Sequence, residues 1–224
     1  QKAQNVSTIS VHSFPSFTLI FEDKYFAPCL EWKNLHTLEL NSVGLGINTQ
    51  HNDNFFALLE KQLKNLTLYG CHLNDEILIK ILKYSPNIEK LDVRKNESLT
   101  IRAYEYLSQN CPQVKTLRMN GYCKTNNYNY NWLKKFTSLE NFEISYKDTK
   151  SCHQILESLK NNKVLHVLYL DFLELPHIFK IIDLTPLRIL KFRWTADTIF
   201  ENLTALDNLQ ELRIEYFIYS SSDY

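Results

Sequence analysis

The sequence predicts an α/β solenoid: a horseshoe of short stacked units, with a parallel sheet on the concave side and helices or short 3-10 segments on the convex side. The first observation is an apolar triplet, apolar-x-x-apolar-x-apolar, that recurs nine times along the 224 residues. The second is that successive triplets are 21 to 28 residues apart. The third is the helical spacing of apolar residues in the segments that separate several of the triplets.

A repeat of this form, about 20–29 residues long, is the leucine-rich repeat. The triplets begin at Phe14, Leu35, Leu63, Ile88, Val114, Leu139, Leu165, Leu187 and Leu209. Side chains alternate between the two faces of a strand, so the fourth and sixth positions of each triplet are predicted to face the core. Stacked units then pair their strands in parallel and bury one continuous apolar column.

The pattern is clearest between residues 63 and 119, where two units also carry a closing Cys or Asn. Those two units have the sequences Leu63-x-x-Leu66-x-Leu68-x-x-Cys71 and Ile88-x-x-Leu91-x-Val93-x-x-Asn96. The column is expected to contain Leu66, Leu91, Leu117 and Leu168. The first triplet, Phe14-x-x-Phe17-x-Leu19, is expected to form a capping unit or an irregular first repeat.

The segments between triplets contain signals for where helices begin and end. Asn74 and Ser151 are predicted to be helix N-caps, since each precedes apolar residues at helical spacing. Pro86 and Pro112 follow helical segments and are expected to end them. The last intervals are shorter, so 3-10-like connections are predicted over residues 176–183 and 197–206.

The organisation predicted is a single leucine-rich-repeat domain over residues 1–224. Within it, residues 1–30 form a cap or irregular first repeat, 31–217 the repeats and 218–224 a tail. The 25 basic and 25 acidic residues give a formal net charge of zero, which argues against general binding to nucleic acid or to acidic membranes. No apolar run approaches the roughly 20 residues of a membrane-spanning helix.

Cysteine usage predicts an intracellular location, cytoplasmic or nuclear. The five cysteines are an odd number without the spacing of a disulfide framework, and no signal-peptide pattern is visible after Gln1. Four Asn-x-Ser/Thr sequons occur, and in a chain this rich in Asn they are interpreted as chance matches, with secretion as the alternative. They begin at Asn5, Asn65, Asn96 and Asn202.

The sequence contains no arrangement of residues that predicts catalysis. Its four glycines cannot build a phosphate-binding loop, and no His-Glu-x-x-His or Cys-x-x-Cys is present. Cys71 is interpreted as a small buried residue that closes a repeat, with a metal ligand as the alternative, and Cys111 likewise. We therefore predict a chain that is not an enzyme and holds no metal or cofactor.

Function in a solenoid is expected on the exposed strand face, where parallel strands arrange side chains in lateral rows. The position between the two core residues defines the central row: Glu39, Thr67, Asp92, Arg118, Glu143, Tyr169, Lys191 and Arg213. The position after the second core residue defines the trailing row: Asn41, Tyr69, Arg94, Asn120, Ser145, Asp171, Arg193 and Glu215. Asp92, Arg118 and Glu143 are expected to be neighbours, as are Asp171, Arg193 and Glu215.

Two interpretations of these rows stay open. In one, the charges form surface ion pairs worth about 0–1 kcal/mol each and nothing more. In the other, aromatic and Arg side chains make a partner-binding surface, chiefly on the repeats from Leu139 to Phe217. The candidate partner-binding residues are Tyr69, Arg94, Arg118, Tyr146, Tyr169, Asp171, Phe172, Lys191, Arg193, Trp194, Arg213 and Tyr216.

Three of the aromatic features have a structural alternative to partner binding. Phe172 and Trp194 are equally explained by packing against neighbouring repeats at the rim of the sheet. The Asn- and Tyr-rich loop 122–132 is interpreted as a solvated insertion in which Trp132 anchors the next helix, with partner contact as its alternative.

Three motifs resemble the cysteine-containing repeat subtype of the F-box/leucine-rich-repeat proteins. Asn110-Cys111-Pro112-Gln113-Val114-Lys115-Thr116-Leu117-Arg118-Met119 is similar to its Cys-Pro-x-Leu-x-x-Leu-x-Leu signature. Ser85-Pro86-Asn87-Ile88-Glu89-Lys90-Leu91-Asp92-Val93 is similar with Ser in place of Cys. Leu68-Tyr69-Gly70-Cys71-His72-Leu73-Asn74-Asp75 resembles the turn that opens the family's helix.

The resemblance covers the repeats, roughly residues 30–217, and implies a substrate-recognition module of a ubiquitin ligase. In that family the repeats bind the substrate and an F-box recruits cullin-type ligase subunits. Residues 1–34 contain no recognisable F-box, so those subunits are expected to bind through a region outside this chain. Lys147, Leu173, Thr195 and Phe217 depart from the closing Cys or Asn of the subtype. The alternative is a leucine-rich-repeat scaffold or receptor-like interaction protein unrelated to ubiquitin.

Overall fold

A nine-stranded parallel sheet organises the computed structural model, which describes residues 6–13, 19–45, 53–60, 63–121, 129–145, 149–171, 184, 186–194 and 206–216. The strands are β1 (Thr8–His12), β2 (Leu19–Phe21), β3 (Thr37–Asn41), β4 (Val43–Leu45), β5 (Asn65–Tyr69), β6 (Lys90–Asp92), β7 (Thr116–Asn120), β8 (Asn141–Ser145), β9 (Val167–Leu170), β10 (Ile189–Trp194) and β11 (Glu211–Tyr216). The order in the main sheet is β1-β3-β5-β6-β7-β8-β9-β10-β11. Because each repeat adds its strand beside the previous one, the order follows the chain, and the predicted α/β solenoid is confirmed.

Helical segments connect the strands on the other side of the core. The α-helices are α1 (Asp53–Leu59), α2 (Asp75–Tyr84), α3 (Ile101–Asn110) and α4 (Thr149–Leu159). The 3-10 segments are Asp23–Tyr25, Ala27–Glu31 and Tyr130–Lys135. In the described part of the chain no helix combines the length and apolar character needed to cross a bilayer. The predicted 3-10 connections at 176–183 and 197–206 lie outside the described residues, apart from Leu206 itself.

The interior is one apolar column, as the triplet pattern predicts. Strand register pairs Leu38 with Leu66, Leu66 with Leu91, Leu91 with Leu117, Leu117 with Phe142 and Phe142 with Leu168. All six side chains are at most 1% exposed. The alignment of Leu66, Leu91, Leu117 and Leu168 in a shared interior is therefore confirmed.

Asn96 ties three neighbouring backbone segments together at the closing position of its repeat. Its Nδ2 donates to the carbonyl oxygens of Leu68 at 2.7 Å and Val93 at 2.9 Å, while its Oδ1 accepts from the backbone nitrogen of Leu73 at 3.0 Å. Cys71, at the equivalent position one repeat earlier, donates its thiol to the carbonyl of Leu40 at 3.3 Å. A side chain that closes one repeat thus also bonds to the previous one.

Side chains at the helix starts explain where two helices begin. Asn74 caps α2 as predicted, with its Oδ1 accepting from the backbone nitrogen of Ile77 at 2.9 Å. Asp75, in the first turn of α2, accepts from the backbone nitrogen of Thr100 at 2.7 Å and so links α2 to the cap of α3. The prediction of Ser151 as a cap is wrong: α4 begins two residues earlier, and Ser151 is buried within it.

The first strand of the main sheet precedes the first triplet in the chain. Strand β1 pairs Ile9 with Leu38 and Val11 with Leu40, so these two residues take the core positions that were expected at Phe17 and Leu19. Leu19 instead begins β2, which pairs with β4 in a separate two-stranded sheet. Two separate apolar triplets fit the pattern at this end of the chain, at residues 6, 9 and 11 and at residues 14, 17 and 19, and the one nearer the terminus joins the main sheet.

The turns after three strands share a left-handed residue. Ser42, Gly70 and Lys95 have φ values of 55°, 64° and 61°, and each lies two residues beyond the second core position of its triplet. The amide of Gly70 donates to the carbonyl of Arg94 at 2.9 Å, which carries the strand pairing into the turn. Glycine adopts this conformation without a Cβ penalty, which explains its presence in the turn that precedes Cys71.

Candidate functional site

The central row lies on the face of the sheet opposite to the helices. Register aligns Ser10 with Glu39, and the row continues strand by strand as predicted to Arg213. The row is lateral because parallel strands place equivalent residues side by side, about 4.8 Å apart. On the main-sheet strands from β3 to β10 the residues that flank the central-row position are buried, whereas Leu212 and Ile214, which flank Arg213 on β11, are each 39% exposed.

A trough of about 870 Å³ follows this face. Its lining residues come from β3 and from every strand of the main sheet between β5 and β11. The lining includes Thr37, Glu39, Thr67, Lys90, Asp92, Arg118, Glu143, Tyr169, Lys191 and Arg213. The trough is thus a continuous, mostly polar surface rather than an enclosed chamber.

Arg94 holds two carboxylates at the centre of the trough. Its Nη2 lies 2.6 Å from Oδ2 of Asp92, its Nε lies 3.0 Å from Oδ1 of the same residue, and its Nη1 lies 2.5 Å from Oε1 of Glu143. The guanidinium carbon is 5.5 Å from the centre of the Tyr69 ring, within reach of a cation–π interaction. The Arg94 side chain therefore extends from β6, past β7, to β8.

Arg118 completes this group of charges with looser contacts. Its Nε is 3.2 Å from Oε2 of Glu143, and its Nη1 is 3.8 Å from Oδ2 of Asp92. Its side chain is 49% exposed, compared with 24% for Arg94. The predicted contact among Asp92, Arg118 and Glu143 is confirmed, and Arg118 remains accessible to a partner.

The electrostatics of Arg94 reflect its position between the carboxylates. Burial alone would lower the pKa of its guanidinium, but hydrogen bonding and charge from Asp92, together with Glu143, raise that pKa above its ordinary value. Asp92 is buried because Arg94 covers it, so the prediction of an exposed carboxylate at this position is wrong.

Amide and hydroxyl side chains form a further row, which was not among the residues predicted from the sequence. Nδ2 of Asn65 donates to Oγ1 of Thr37 at 2.8 Å, and Nδ2 of Asn141 donates to Oγ1 of Thr116 at 3.1 Å. These residues occupy the position just before the first core residue of each strand, together with Lys90, and we call them the leading row. Side chains two residues apart on a strand lie on the same face, so the residue two positions before each central-row residue could have been predicted to lie on the concave face.

A ladder of charges crosses the rim where the strands begin. Glu89 accepts from Lys64 at 2.9 Å and from Lys115 at 2.9 Å. Hydrogen bonds from Lys64 and then Lys115 lower the pKa of the Glu89 carboxyl from 4.5 to about 2. This ladder joins β5, β6 and β7 through side chains that stay in contact with solvent.

The last two strands bring basic side chains to the other end of the trough. Lys191 and Arg213 are register partners in β10 and β11. Arg213 is 63% exposed at its side chain, and its Nε forms an ion pair with Glu211, two residues away on the same strand. Tyr169 lies beside Lys191 in β9.

Several of the predicted partner-binding residues are placed by the structure, and one is not where expected. Tyr69, Arg94, Arg118, Tyr169, Lys191 and Arg213 lie on the concave face. Asp171 is buried, at 7% exposure, because β9 ends at Leu170 and the alternation that predicted an exposed side chain stops there. Tyr146 and Phe172 lie outside the described residues. For Arg193, Trp194 and Tyr216 the described part is the strand backbone, so partner binding through the repeats from Leu139 to Phe217 stays a prediction.

Cys71, Cys111 and Trp132 are buried in the core. Burial raises the pKa of the Cys71 thiol to about 12 and that of Cys111 to about 11. Trp132 is 4% exposed and stacks on Tyr104 at a ring-centre distance of 5.4 Å, so its predicted anchoring role is confirmed, in a 3-10 segment. In the described part of the chain, no group of three or more His, Cys, Asp and Glu side chains is arranged to hold a metal ion.

Comparison with solved structures agrees with this architecture. The chain is similar to the leucine-rich-repeat ectodomain of the receptor kinase GASSHO1/SCHENGEN3 from Arabidopsis thaliana, with 19% identity and a TM-score of 0.51 over 94% of this chain and 24% of that one. It is also similar to the ectodomain of the Arabidopsis receptor kinase HAESA, with 18% identity and a TM-score of 0.51 over 85% of this chain and 32% of that one. The chain has the leucine-rich-repeat fold.

The leucine-rich repeats of this chain thus span a third or less of the length of these two ectodomains. No protein-family profile matches the sequence, and no curated protein matches it. At such low identity, the structural similarity concerns the fold alone.

Proposed function

We propose that this chain is a protein-binding module without catalytic activity of its own, and that it binds an extended segment of its partner in the concave trough. The observation that carries the proposal is the trough itself: one continuous polar surface contributed by eight neighbouring strands. Its side chains offer hydrogen-bond donors and acceptors, aromatic rings and charges, the composition of a recognition surface.

The dimensions of the trough suit an extended peptide. Eight strands at a spacing of about 4.8 Å span about 34 Å, the length of about ten residues at 3.3 Å per residue. The leading row adds paired amide and hydroxyl groups that can donate to and accept from a peptide backbone. These groups provide recognition that does not depend on the partner's sequence, and the charged central row supplies the specificity.

The structurally similar proteins give independent support. The HAESA ectodomain was solved in complex with the peptide hormone ligand IDA, and the GASSHO1/SCHENGEN3 ectodomain in complex with CASPARIAN STRIP INTEGRITY FACTOR 2. Both are stacks of the same kind of repeat with a bound ligand. The shared fold makes ligand binding the first function to test in this chain.

A steric block in the trough tests the proposal. Thr67 lies in the central row on β5, and Thr67→Trp would fill the trough without removing a charge. Peptides selected from a random dodecapeptide display library on the unmodified chain would then be measured by fluorescence anisotropy. We expect Thr67→Trp to weaken their binding tenfold or more. Lys83→Trp, on the exposed surface of α2, is the matched control. Binding that Thr67→Trp leaves unchanged would refute the concave site.

The finer proposal is that the partner is a substrate of a ubiquitin ligase. It is favoured by two features of the cysteine-containing repeat: Cys71 follows a left-handed Gly70, and buried Cys111 ends α3 immediately before Pro112. If the full-length protein is a ligase subunit, it will co-purify with a cullin-ligase adaptor. Thr67→Trp will then lose the substrate but retain the adaptor. Failure of the full-length protein to bind any such adaptor would leave the alternative, a repeat scaffold unrelated to ubiquitin.

We also propose an intracellular location, cytoplasmic or nuclear, on the basis of two structural features. Cys29, Cys71, Cys111 and Cys152 are buried free thiols, which suits a reducing compartment. The sequon at Asn96 is inaccessible to glycosylation in the folded chain, since Asn96 is 2% exposed and its amide nitrogen is hydrogen-bonded to backbone carbonyls. A glycan at Asn96 is incompatible with this fold. A fluorescent fusion of the full-length protein that entered the secretory pathway would contradict the location.

A further inference from the structure

We propose that the partner segment bound in the trough is acidic and carries two carboxylates about four residues apart. One carboxylate would bind at Arg118, beside Lys90, and the other at Lys191 and Arg213. This inference rests on the proposed function and adds the chemistry of the ligand. The proposal is based on two observations: the acidic side chains of the trough are mostly paired with other residues of the chain, and the basic side chains are accessible to a partner.

Most acidic side chains of the trough already form ion pairs or hydrogen bonds with other residues of this chain. Asp92 is 10% exposed at its side chain and receives two guanidinium nitrogens of Arg94. Glu143 is bonded by Arg94 and Arg118, with its side chain 20% exposed. Glu39, near the first strand, accepts the hydroxyl of Ser10 at 2.5 Å. A basic partner would have to compete with these contacts for each of the three carboxylates.

The basic side chains, in contrast, extend into the trough. Lys90, Arg118 and Arg213 are exposed, and Lys191 is half-buried beside Arg213. Arg213 is 63% exposed at its side chain even though its Nε pairs with Glu211. Glu215, in the trailing row of β11, is an exposed acidic side chain at the margin of this surface. Although formal charges in the trough are nearly balanced, its accessible charge is positive over the central row. Complementarity of accessible charge therefore favours an acidic ligand.

Arg94 acts as a positioning residue in this arrangement. Because Arg94 makes the closest contacts to both Asp92 and Glu143, Arg118 retains guanidinium N–H donors that neither carboxylate occupies. Arg118 approaches them at 3.8 Å and 3.2 Å, whereas the contacts of Arg94 are 2.5 to 2.6 Å. A carboxylate from a partner can bind Arg118 in the bidentate geometry that guanidinium groups favour.

The spacing of the two basic sites follows from the sheet. Arg118 is on β7 and Lys191 on β10, three strands away, so the two positions are separated by about 14 Å. An extended peptide that runs across the strands covers this distance in about four residues. Glu143 and Tyr169 lie between the two sites, where an acidic residue would meet a carboxylate and a ring instead of a cation.

The dodecapeptide library described above provides the test. Sequencing of the pool selected on the unmodified chain is expected to show enrichment of Asp and Glu in pairs separated by three to five residues. Selected peptides, labelled with fluorescein, are then measured against Arg118→Gln, Lys191→Gln and Arg213→Gln. We expect each variant to weaken binding by about fivefold, the effect of one exposed ion pair. Arg102→Gln, which removes an exposed arginine from α3 on the other side of the core, is the matched control.

Each result separates the proposal from the function on which it rests. Selected peptides that are neutral or basic, yet are blocked by Thr67→Trp, would overturn the acidic ligand and leave the concave site intact. Acidic peptides that bind Arg118→Gln and Lys191→Gln as well as Arg102→Gln would overturn the assignment of the two basic sites. A pool with no enriched peptide, or one insensitive to Thr67→Trp, would overturn the proposed function itself. Circular dichroism of every variant confirms that the fold is retained, and the mildest change, Arg213→Gln at an exposed position, keeps the test valid if another variant unfolds.

Discussion

Asn96→Ala is expected to lower the free energy of unfolding by about 3 kcal/mol, at about 1 kcal/mol for each hydrogen bond lost. Three such bonds are short: 2.7 Å to the carbonyl of Leu68, 2.9 Å to the carbonyl of Val93 and 3.0 Å from the amide of Leu73. Asn96 is 2% exposed, so these backbone groups lose their partner without gaining bulk water. The loss affects two repeats at once, because Leu68 and Leu73 belong to the repeat before Asn96.

The effect is measured by urea and thermal unfolding, followed by far-UV circular dichroism. For a chain of this size about 3 kcal/mol corresponds to a fall in Tm of about 6–12 °C. Asn96→Asp is expected to be at least as destabilising, because it keeps the acceptor for Leu73 but places an oxygen against two carbonyl oxygens. Both variants should leave the far-UV spectrum at low temperature unchanged in shape.

Ser98→Ala is the matched control for this prediction. It removes the same Asn-x-Ser sequon from an exposed position and leaves the buried amide in place. We expect its stability to stay within about 0.5 kcal/mol of the unmodified chain, as for most surface substitutions. If Asn96→Ala is no less stable than Ser98→Ala, the amide of Asn96 does not hold the repeats together, and the reasoning is refuted.

Three further predictions concern the ionisable groups. The lowered pKa of Glu89 contributes stability above its unfolded value of 4.5 that is lost as pH falls towards 2, so Glu89→Gln should flatten the pH dependence of unfolding in that window. The raised pKa values of Cys71 and Cys111 predict slow alkylation by iodoacetamide at pH 8 in the native state and rapid alkylation in urea, with peptide mass mapping as the measurement. Arg94→Ala should destabilise the chain by about 2 kcal/mol, since it leaves carboxylates buried, whereas Arg118→Ala should cost less than about 1 kcal/mol in chemical unfolding. Equal effects of these two arginine substitutions would contradict the different roles assigned to them.

The central repeats were predictable from sequence because two periodicities agree there. Alternation within the strand fixes which residues face the core, and the repeat length fixes which strand lies next to which. Leu66, Leu91 and Leu117 satisfy both conditions, and the structure pairs them as expected. The lateral neighbours of the central row follow from the same two rules without any further information.

The strand that begins the main sheet was not identified from the sequence, because the apolar pattern is ambiguous there. Residues 6, 9 and 11 and residues 14, 17 and 19 both have the triplet spacing. Pairing with β3 selected the first set, in which Ile9 and Val11 lie beside Leu38 and Leu40. A register between strands depends on long-range hydrogen bonds, and a local pattern does not encode which of two candidate strands makes them.

The direction taken by the Arg94 side chain was the other feature that could not be predicted from the sequence. Position in the trailing row places the Cα of Arg94 two residues beyond the end of β6, but its guanidinium contacts Asp92 and reaches Glu143 two strands away. The guanidinium of Arg94 also lies 5.5 Å from the centre of the Tyr69 ring, a contact that strand position alone does not predict. The exposure of Asp92 was mispredicted for the same reason, because alternation alone does not account for a neighbouring side chain that covers it.

In the group formed by Asp92, Glu143, Arg94 and Arg118, Arg94 is assigned to stability and Arg118 to partner recognition. The binding test can therefore distinguish the two roles. Removal of Arg94 would leave two partly buried carboxylates, Asp92 and Glu143, with Arg118 as the cation that contacts them, and would therefore lower stability. Arg118 is the member that a partner can reach, and its loss leaves both carboxylates bonded to Arg94. A variant at Arg118 that loses ligand without losing stability would therefore report recognition, whereas a variant at Arg94 would change both. If the two substitutions exchange these effects, the ligand approaches from the side of Tyr69 rather than along the central row.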